Sequence, residues 1–299
     1  MTIQLAPGSI IVGVDGSADA ERALRWAAEQ AALERRHLAV VAVSGLNQVP
    51  TAAWANAAGS YVIPPAELAA QMQAAADDAA GSARRLQPGL TVSAHTAHGD
   101  PRDVLVELSA DAHLVVVGSR GRGVLRSRLL GSVSATVARH AESPVAVCRP
   151  ESPGSVRRGV LVGADGTLEG QAVLEVAFQH ASARGLPLTV LHAFHDVVAA
   201  VNGPHLVPAT EGLLEKERLL LAESVAGFSE KFPDVHVDVQ LARGFARECL
   251  SEASEQWHLV VVGRHPTDSL ARMVSSTVAT AVVERAHTTV VVVPIPAPA

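Results

Sequence analysis

Ser9-Ile10-Ile11-Val12-Gly13-Val14-Asp15 returns as Gly159-Val160-Leu161-Val162-Gly163-Ala164-Asp165, and His113-Leu114-Val115-Val116-Val117-Gly118 returns unchanged as His258-Leu259-Val260-Val261-Val262-Gly263. A shift of 150 residues superposes the first pair and a shift of 145 the second. Solenoid repeats run to ~20–50 residues, so a unit of this size is a complete domain with its own core. The sequence therefore predicts two tandem domains, residues 1–149 and 158–299, joined by a linker at 150–157. The stretch Arg149-Pro150-Glu151-Ser152-Pro153-Gly154-Ser155 has the Pro, Gly and Ser content of such a connector.

Composition narrows the class. Hydrophobic residues make up 48% of the chain, charged ones 18% and aromatic ones 3%, so the core is built from Val, Leu, Ile and Ala. That aliphatic bias suits parallel sheets covered on both faces, whose strands read as unbroken apolar runs. No run reaches the ~18–20 residues of a membrane span, and the first residues lack a signal-peptide pattern. A cytoplasmic protein with no membrane partner is expected. Cys148 and Cys249 stand apart without metal-ligand or CxxC spacing, so both are expected as reduced thiols. A formal charge of −6 supplies no basic field for nucleic acid.

Apolar runs alternate with helical periodicity in both halves. Strands are expected near 9–14, 38–44, 90–96, 113–118 and 144–149, then near 159–164, 187–193, 235–241, 258–263 and 289–294. Between 18 and 36, Ala20, Ala23, Leu24, Ala27, Ala28, Ala31 and Ala32 fall on one stripe of period 3.6. Asp100-Pro101 starts the helix over 100–112, with Asp as cap and Pro in the first turn. Helices of the second half are expected near 168–184, 210–231, 245–256 and 276–286. Segments 45–65 and 195–209 carry Pro and Gly without periodicity and read as loops over the rim. Alternation of this kind predicts an α/β fold, two tandem doubly wound five-stranded parallel sheets of order 3-2-1-4-5.

The chemistry concentrates after the fourth strand. Gly118-Ser119-Arg120-Gly121-Arg122-Gly123 is followed by Gly131-Ser132-Val133-Ser134 at the mouth of a helix, a Gly-x2-Gly-x9-Gly-Ser spacing. Glycines let the main chain approach a ligand and expose successive N–H groups to an anion, and the helix start adds unpaired N–H groups of its own. Asp15 ends the first strand after Gly13 and Val14. If strands one and four are neighbours, Asp15 and the glycine loop share a crevice, where a carboxylate accepts from ribose hydroxyls or helps hold a phosphate-bound Mg2+. The plainer reading gives Asp15, Ser132 and Ser134 capping duties only. Arg120, Arg122, Arg126 and Arg128 cluster beside the loop, and Arg122 is the one most expected to touch phosphate.

These residues resemble the ATP-binding kind of universal stress protein. Gly118, Gly121, Gly131 and Ser132 match the family's glycine pattern in full, and Asp15 matches its first-strand Asp. The resemblance covers nearly the whole chain and implies adenine-nucleotide-binding, Rossmann-like domains, with ATP between strands one and four and adenine near Val43 at the end of strand two. It also implies pairing of the two domains through their final strands; further self-association into a homodimer is a separate expectation from their Val-rich edges. In the second copy the corresponding residues are Ala164, Asp165, Ala193, Gly263, Arg264, Thr277 and Val278, but Pro266 replaces Gly121, Ser276 replaces Gly131 and Asp268 stands at Gly123. Proline fixes φ and lacks an N–H, and the extra carboxylate opposes phosphate charge, so the first half is the better ATP site.

Three functions fit these residues: a nucleotide-dependent regulatory module of the stress response, a slow ATPase, or an interaction scaffold that needs no nucleotide. No Gly-x4-Gly-Lys-Ser/Thr and no kinase signature occurs, and no catalytic residue is assigned. His95 with His98, and His192 with His195, are spaced by three on strands, which sends their side chains to opposite faces, so no metal site is expected.

Overall fold

The computed structural model describes residues 3–44, 65–121, 130–150, 158–196, 198–199, 203–208, 214–252, 254–265 and 270–295. They gather into two compact units, the first closing at Cys148 and the second opening at Arg149. Of the expected linker, only Pro150 is among the described residues.

The first unit runs β1 (Ile10–Val14), α1 (Ala18–Leu33), β2 (Leu38–Ser44), α2 (Pro65–Leu86), β3 (Val92–His98), α3 (Pro101–Ser109), β4 (Leu114–Gly118), α4 (Ser132–His140) and β5 (Val145–Cys148). Its strands lie in the order β3-β2-β1-β4-β5, every pair parallel. Ile10, Val12, Val40, Val115 and Val116 are fully buried, as central strands covered on both faces require. The apolar stripe of α1 behaves as its period dictates: Ala20, Ala23, Leu24, Ala27, Ala28 and Ala31 are buried. Ser17 caps that helix, its Oγ accepting from the N–H of Ala20 at 3.2 Å, and Asp100 caps α3 with Pro101 in the first turn. Strand order reverses between β1 and β4, so the carboxyl ends of those two strands open a crevice.

The second unit runs β6 (Val160–Gly163), α5 (Gln171–Arg184), β7 (Leu188–Phe194), β8 (His205–Leu206), α6 (Glu215–Lys231), β9 (Val237–Arg243), α7 (Ala246–Cys249), β10 (Leu259–Arg264), α8 (Leu270–Arg285) and β11 (Thr289–Pro294). Its order is β11-β10-β6-β7-β9-β8. The first five of these strands repeat the first unit's arrangement. The expectation of a purely parallel five-stranded sheet is corrected here, because β8 pairs antiparallel with β9, Leu206 opposite Ala242. This two-residue strand arises inside the segment read as loop. It supplies partners to the outer edge of β9, where Val207 N–H also donates to the Leu241 carbonyl at 2.9 Å.

Two helices differ from the expected spans. The helix foreseen over 245–256 is split into α7 and a 3-10 turn at Ser254–Gln256. Serine hydroxyls explain the break: Ser251 and Ser254 bond to local carbonyls, and Ser254 Oγ accepts the N–H of His287 at 2.9 Å. Helix α8 begins at Leu270 rather than 276, so Ser276 and Thr277 lie inside it instead of at its mouth. Among the described residues no helix is long and apolar enough to cross a membrane.

Candidate functional site

The crevice between β1 and β4 is shaped by close backbone approach. A Cβ on Gly118 would stand 2.6 Å from the carbonyl carbon of Asp19, closer than side chains pack, so only glycine lets the end of β4 lie against the start of α1. The contact puts Asp19 under the loop that follows. Asp19 is 8% exposed, and its carboxylate accepts from Ser119 Oγ at 2.8 Å, Arg22 Nη1 at 2.8 Å and Arg120 Nε at 3.1 Å. Burial by itself would raise the pKa of Asp19, but the hydrogen bonds from Arg22, Ser119 and Arg120 outweigh it and hold the carboxyl below its ordinary value.

From Ser119 the framework passes to α4. The Ser119 carbonyl accepts the N–H of Gly131 at 2.8 Å and the hydroxyl of Ser134 at 3.1 Å. Gly131 is the N-cap of α4 and brings no side-chain hydrogen bond to it. The intrahelical ladder opens with Ala135 N–H on the Gly131 carbonyl, which leaves the N–H groups of Ser132, Val133 and Ser134 outside it. An uncapped helix start of this kind carries partial positive charge and suits an anion.

These groups line one cavity of about 340 Å3 at the carboxyl ends of β1 and β4. Gly13, Val14, Asp15 and Val43 form one side of it; Gly118, Gly121, Gly131, Ser132, Val133 and Ser134 form the other. The structure thus brings together ten residues singled out from the sequence. Gly121 lies so close to Asp15 that a Cβ there would come within 2.7 Å of Oδ2. Asp15 does not cap α1, a place taken by Ser17; its Oδ1 accepts the N–H of Ser17 at 2.9 Å in the turn before the helix. Val14, Asp15, Ala20 and Val43 also border a larger cleft of about 680 Å3 between α1 and α2. Ser119 does not line the cavity, because its hydroxyl is committed to Asp19. Arg122 and Gly123 lie outside the described residues.

The second unit has a cavity at the equivalent place, of about 150 Å3, bordered by Ala164, Asp165, Ala193, Gly263 and Val278. Leu250 and Ile295 are among its lining, Leu250 standing where Leu105 does in the first unit. A Cβ on Gly163 would meet Leu250 Cδ1 at 2.8 Å, and one on Gly263 would meet Ile295 Cδ1 at 2.7 Å. Asp165 Oδ1 accepts from the N–H and hydroxyl of Thr167 at 2.9 and 2.7 Å, and Oδ2 lies 3.4 Å from His265 Nε2. Arg264 does not border this cavity. Arg264 is half-buried, and burial lowers its pKa; Thr277 is carried into the body of α8 by the helix's early start. Pro266 and Asp268 lie outside the described residues.

The sequence model of the universal stress protein family matches residues 8–149 and again 157–294. The chain belongs to the universal stress protein family. A universal stress protein of Mycolicibacterium smegmatis is 34% identical over 294 residues, covering 95% of this chain and 96% of the relative. One from Mycobacterium tuberculosis strain H37Rv is 35% identical over 295 residues, covering 95% of each. Among solved structures, a universal stress protein from Archaeoglobus fulgidus superposes with a TM-score of 0.70 at 17% identity, covering 96% of this chain and 98% of that one, a likeness of fold.

Sequence reasoning missed part of the candidate site of this universal stress protein. Pro101 and Leu105 of α3 also border the first cavity, and Asp19 underpins it. Nothing local marks Asp19, since an acidic residue in a first helical turn is ordinary; its partner Ser119 is 100 residues away. The histidines noted in the sequence have local partners: His95 with Ser93 Oγ and His98 with Ser44 Oγ at 2.7 Å, His192 with the Ala164 carbonyl at 2.9 Å, and His195 stacked on Phe245.

Proposed function

We propose that the first domain binds ATP and that the chain acts as a nucleotide-dependent regulatory module of the stress response. The observation that carries this reading is the uncapped start of α4 facing Asp15 across a single cavity, with Gly121 between them where a Cβ would press on Asp15 Oδ2. In that arrangement the N–H groups of Ser132, Val133 and Ser134 receive phosphate oxygens, and Asp15 accepts from ribose hydroxyls or helps hold a phosphate-bound Mg2+. Val43 offers an apolar wall to the base. The groups on offer are main-chain N–H donors and one carboxylate acceptor, a set suited to holding a polyphosphate rather than to attacking it.

The second domain, in our reading, does not take ATP in the same pose. Ile295 lies beside Gly263, where the first domain has the backbone of Asp19 beside Gly118, and α8 no longer presents a free start at Thr277. Titration calorimetry with ATP, together with mass spectrometry of nucleotide released from the purified protein, tests both statements. One ATP per chain is expected, without steady release of ADP. Gly121→Pro, which copies the second domain's own residue, should weaken ATP binding about tenfold or more through the lost N–H and fixed φ. Unchanged affinity in a folded Gly121→Pro protein would overturn the cradle assignment, and steady turnover abolished by Asp15→Ala would make the protein an ATPase.

A further inference from the structure

We propose that Asp19 is the positioning residue for the phosphate end of the first cavity, setting the glycine loop through Ser119 and presenting Arg120 as a ligand for phosphate. This rests on the nucleotide reading of the same cavity.

Three features of the cluster around the buried Asp19 carry it. The Asp19 carboxylate is bonded to two separate points of the loop, Ser119 Oγ and Arg120 Nε, and Ser119 in turn holds Gly131 and Ser134 through its carbonyl. One carboxylate thus fixes both walls of the crevice, the loop after β4 and the start of α4. The cluster of Asp19, Arg22 and Arg120 holds two guanidinium groups against one carboxylate, a local positive surplus in a chain of net charge −6. Arg120 borders the cavity and is gripped through Nε, which keeps the two terminal NH2 groups, the fork that meets a phosphate edge, outside that contact.

The second domain shows the alternative. Glu169 stands where Asp19 does on a shift of 150 and is exposed; His265 stands where Arg120 does on a shift of 145 and lies against Asp165. There the loop's base faces the strand carboxylate, whereas in the first domain Asp19 gives Arg120 a different anchor. Without Asp19, Arg120 would have Asp15 as the next carboxylate bordering the cavity. Asp19 therefore acts on selectivity for phosphate rather than on the cavity's apolar wall.

The test compares ATP with adenosine on the full-length protein, using Asp19→Asn, Arg120→Gln and the double variant, each checked for an unchanged circular dichroism spectrum. Both single variants are expected to lose about tenfold more affinity for ATP than for adenosine, and the double variant to lose no more than Arg120→Gln alone. Should Asp19→Asn fail to fold, Arg120→Gln, which leaves the buried carboxylate in place, decides the matter. A wild-type protein that binds ATP, with an ATP-to-adenosine ratio unchanged in Arg120→Gln, would overturn the inference and leave the nucleotide reading standing. A wild-type protein that binds neither ligand would remove the nucleotide reading itself.

Discussion

Gly118 shows how one residue serves both fold and site. Its missing side chain is what allows β4 to end against the backbone of Asp19, where the nearest atoms belong to main chain and cannot step aside as the tip of a flexible side chain would. Overpacking of this kind costs about 1–3 kcal/mol and more where backbone must move. Gly118→Ala is accordingly expected to lower stability by roughly 2–3 kcal/mol in urea unfolding and to weaken nucleotide binding by displacing the loop. A variant with wild-type stability would mean that α1 is free to shift at this point. The motif's glycines were legible in the sequence, but the reason for this one was not. Spacing suggests that the glycine serves the ligand, whereas its Cβ would collide with protein. Ser134 is a similar case: its hydroxyl, a candidate phosphate donor by spacing, is used on the carbonyls of Ser119 and Gly131. Residue type and spacing reveal which groups gather; which of them are already engaged depends on contacts 15 to 100 residues apart.

At the scale of elements, the two copies build one architecture from different packing chemistry. All five phenylalanines lie in the second half of the chain. Phe178 of α5 is fully buried and stacks on Phe228 and Phe232, with ring centroids 5.4 and 5.7 Å away, tying α5 to α6. The corresponding residue of α1 is Ala28, also fully buried, and α2 contributes Ala76, Ala80 and Ala83 as buried residues. Alanine contacts allow helices to approach closely, while the second unit fills the same layer with rings. Phe178→Ala should therefore cost the second unit about 3–5 kcal/mol, since a fully buried ring leaves a cavity. The check is urea unfolding followed by Trp257 fluorescence in a protein with Trp26 and Trp54 replaced by Phe. A loss below about 1 kcal/mol would indicate that α6 collapses into the space. Periodicity disclosed the buried stripe of α1, and apolar runs disclosed the central strands, because burial on both faces leaves a continuous signature. β8 had no such signature: a two-residue strand is defined by its partner β9, not by its own pattern.

For the whole molecule, the difference between the two copies decides what a nucleotide is expected to do to stability. A ligand that binds only folded protein stabilises its own domain by RT ln(1 + [L]/Kd), about 2.7 kcal/mol at a hundredfold excess over Kd. In the first unit that gain falls on the ends of β1 and β4 and the start of α4, which line the cavity. In the second, Ile295 lies beside Gly263 and the cavity is smaller, about 150 Å3, so a smaller gain is expected. Hydrogen exchange measured peptide by peptide separates the two, because each amide reports the opening of its own region. Saturating ATP is expected to slow exchange about tenfold or more over residues 10–17, 114–121 and 130–137, and by less than about twofold over 160–167 and 259–265. Equal protection at both places would show that the second copy also holds nucleotide, with Asp165 and His265 adapting to it. Protection confined to the second copy would invert the assignment, since the complete glycine motif would then lie in the domain that does not bind.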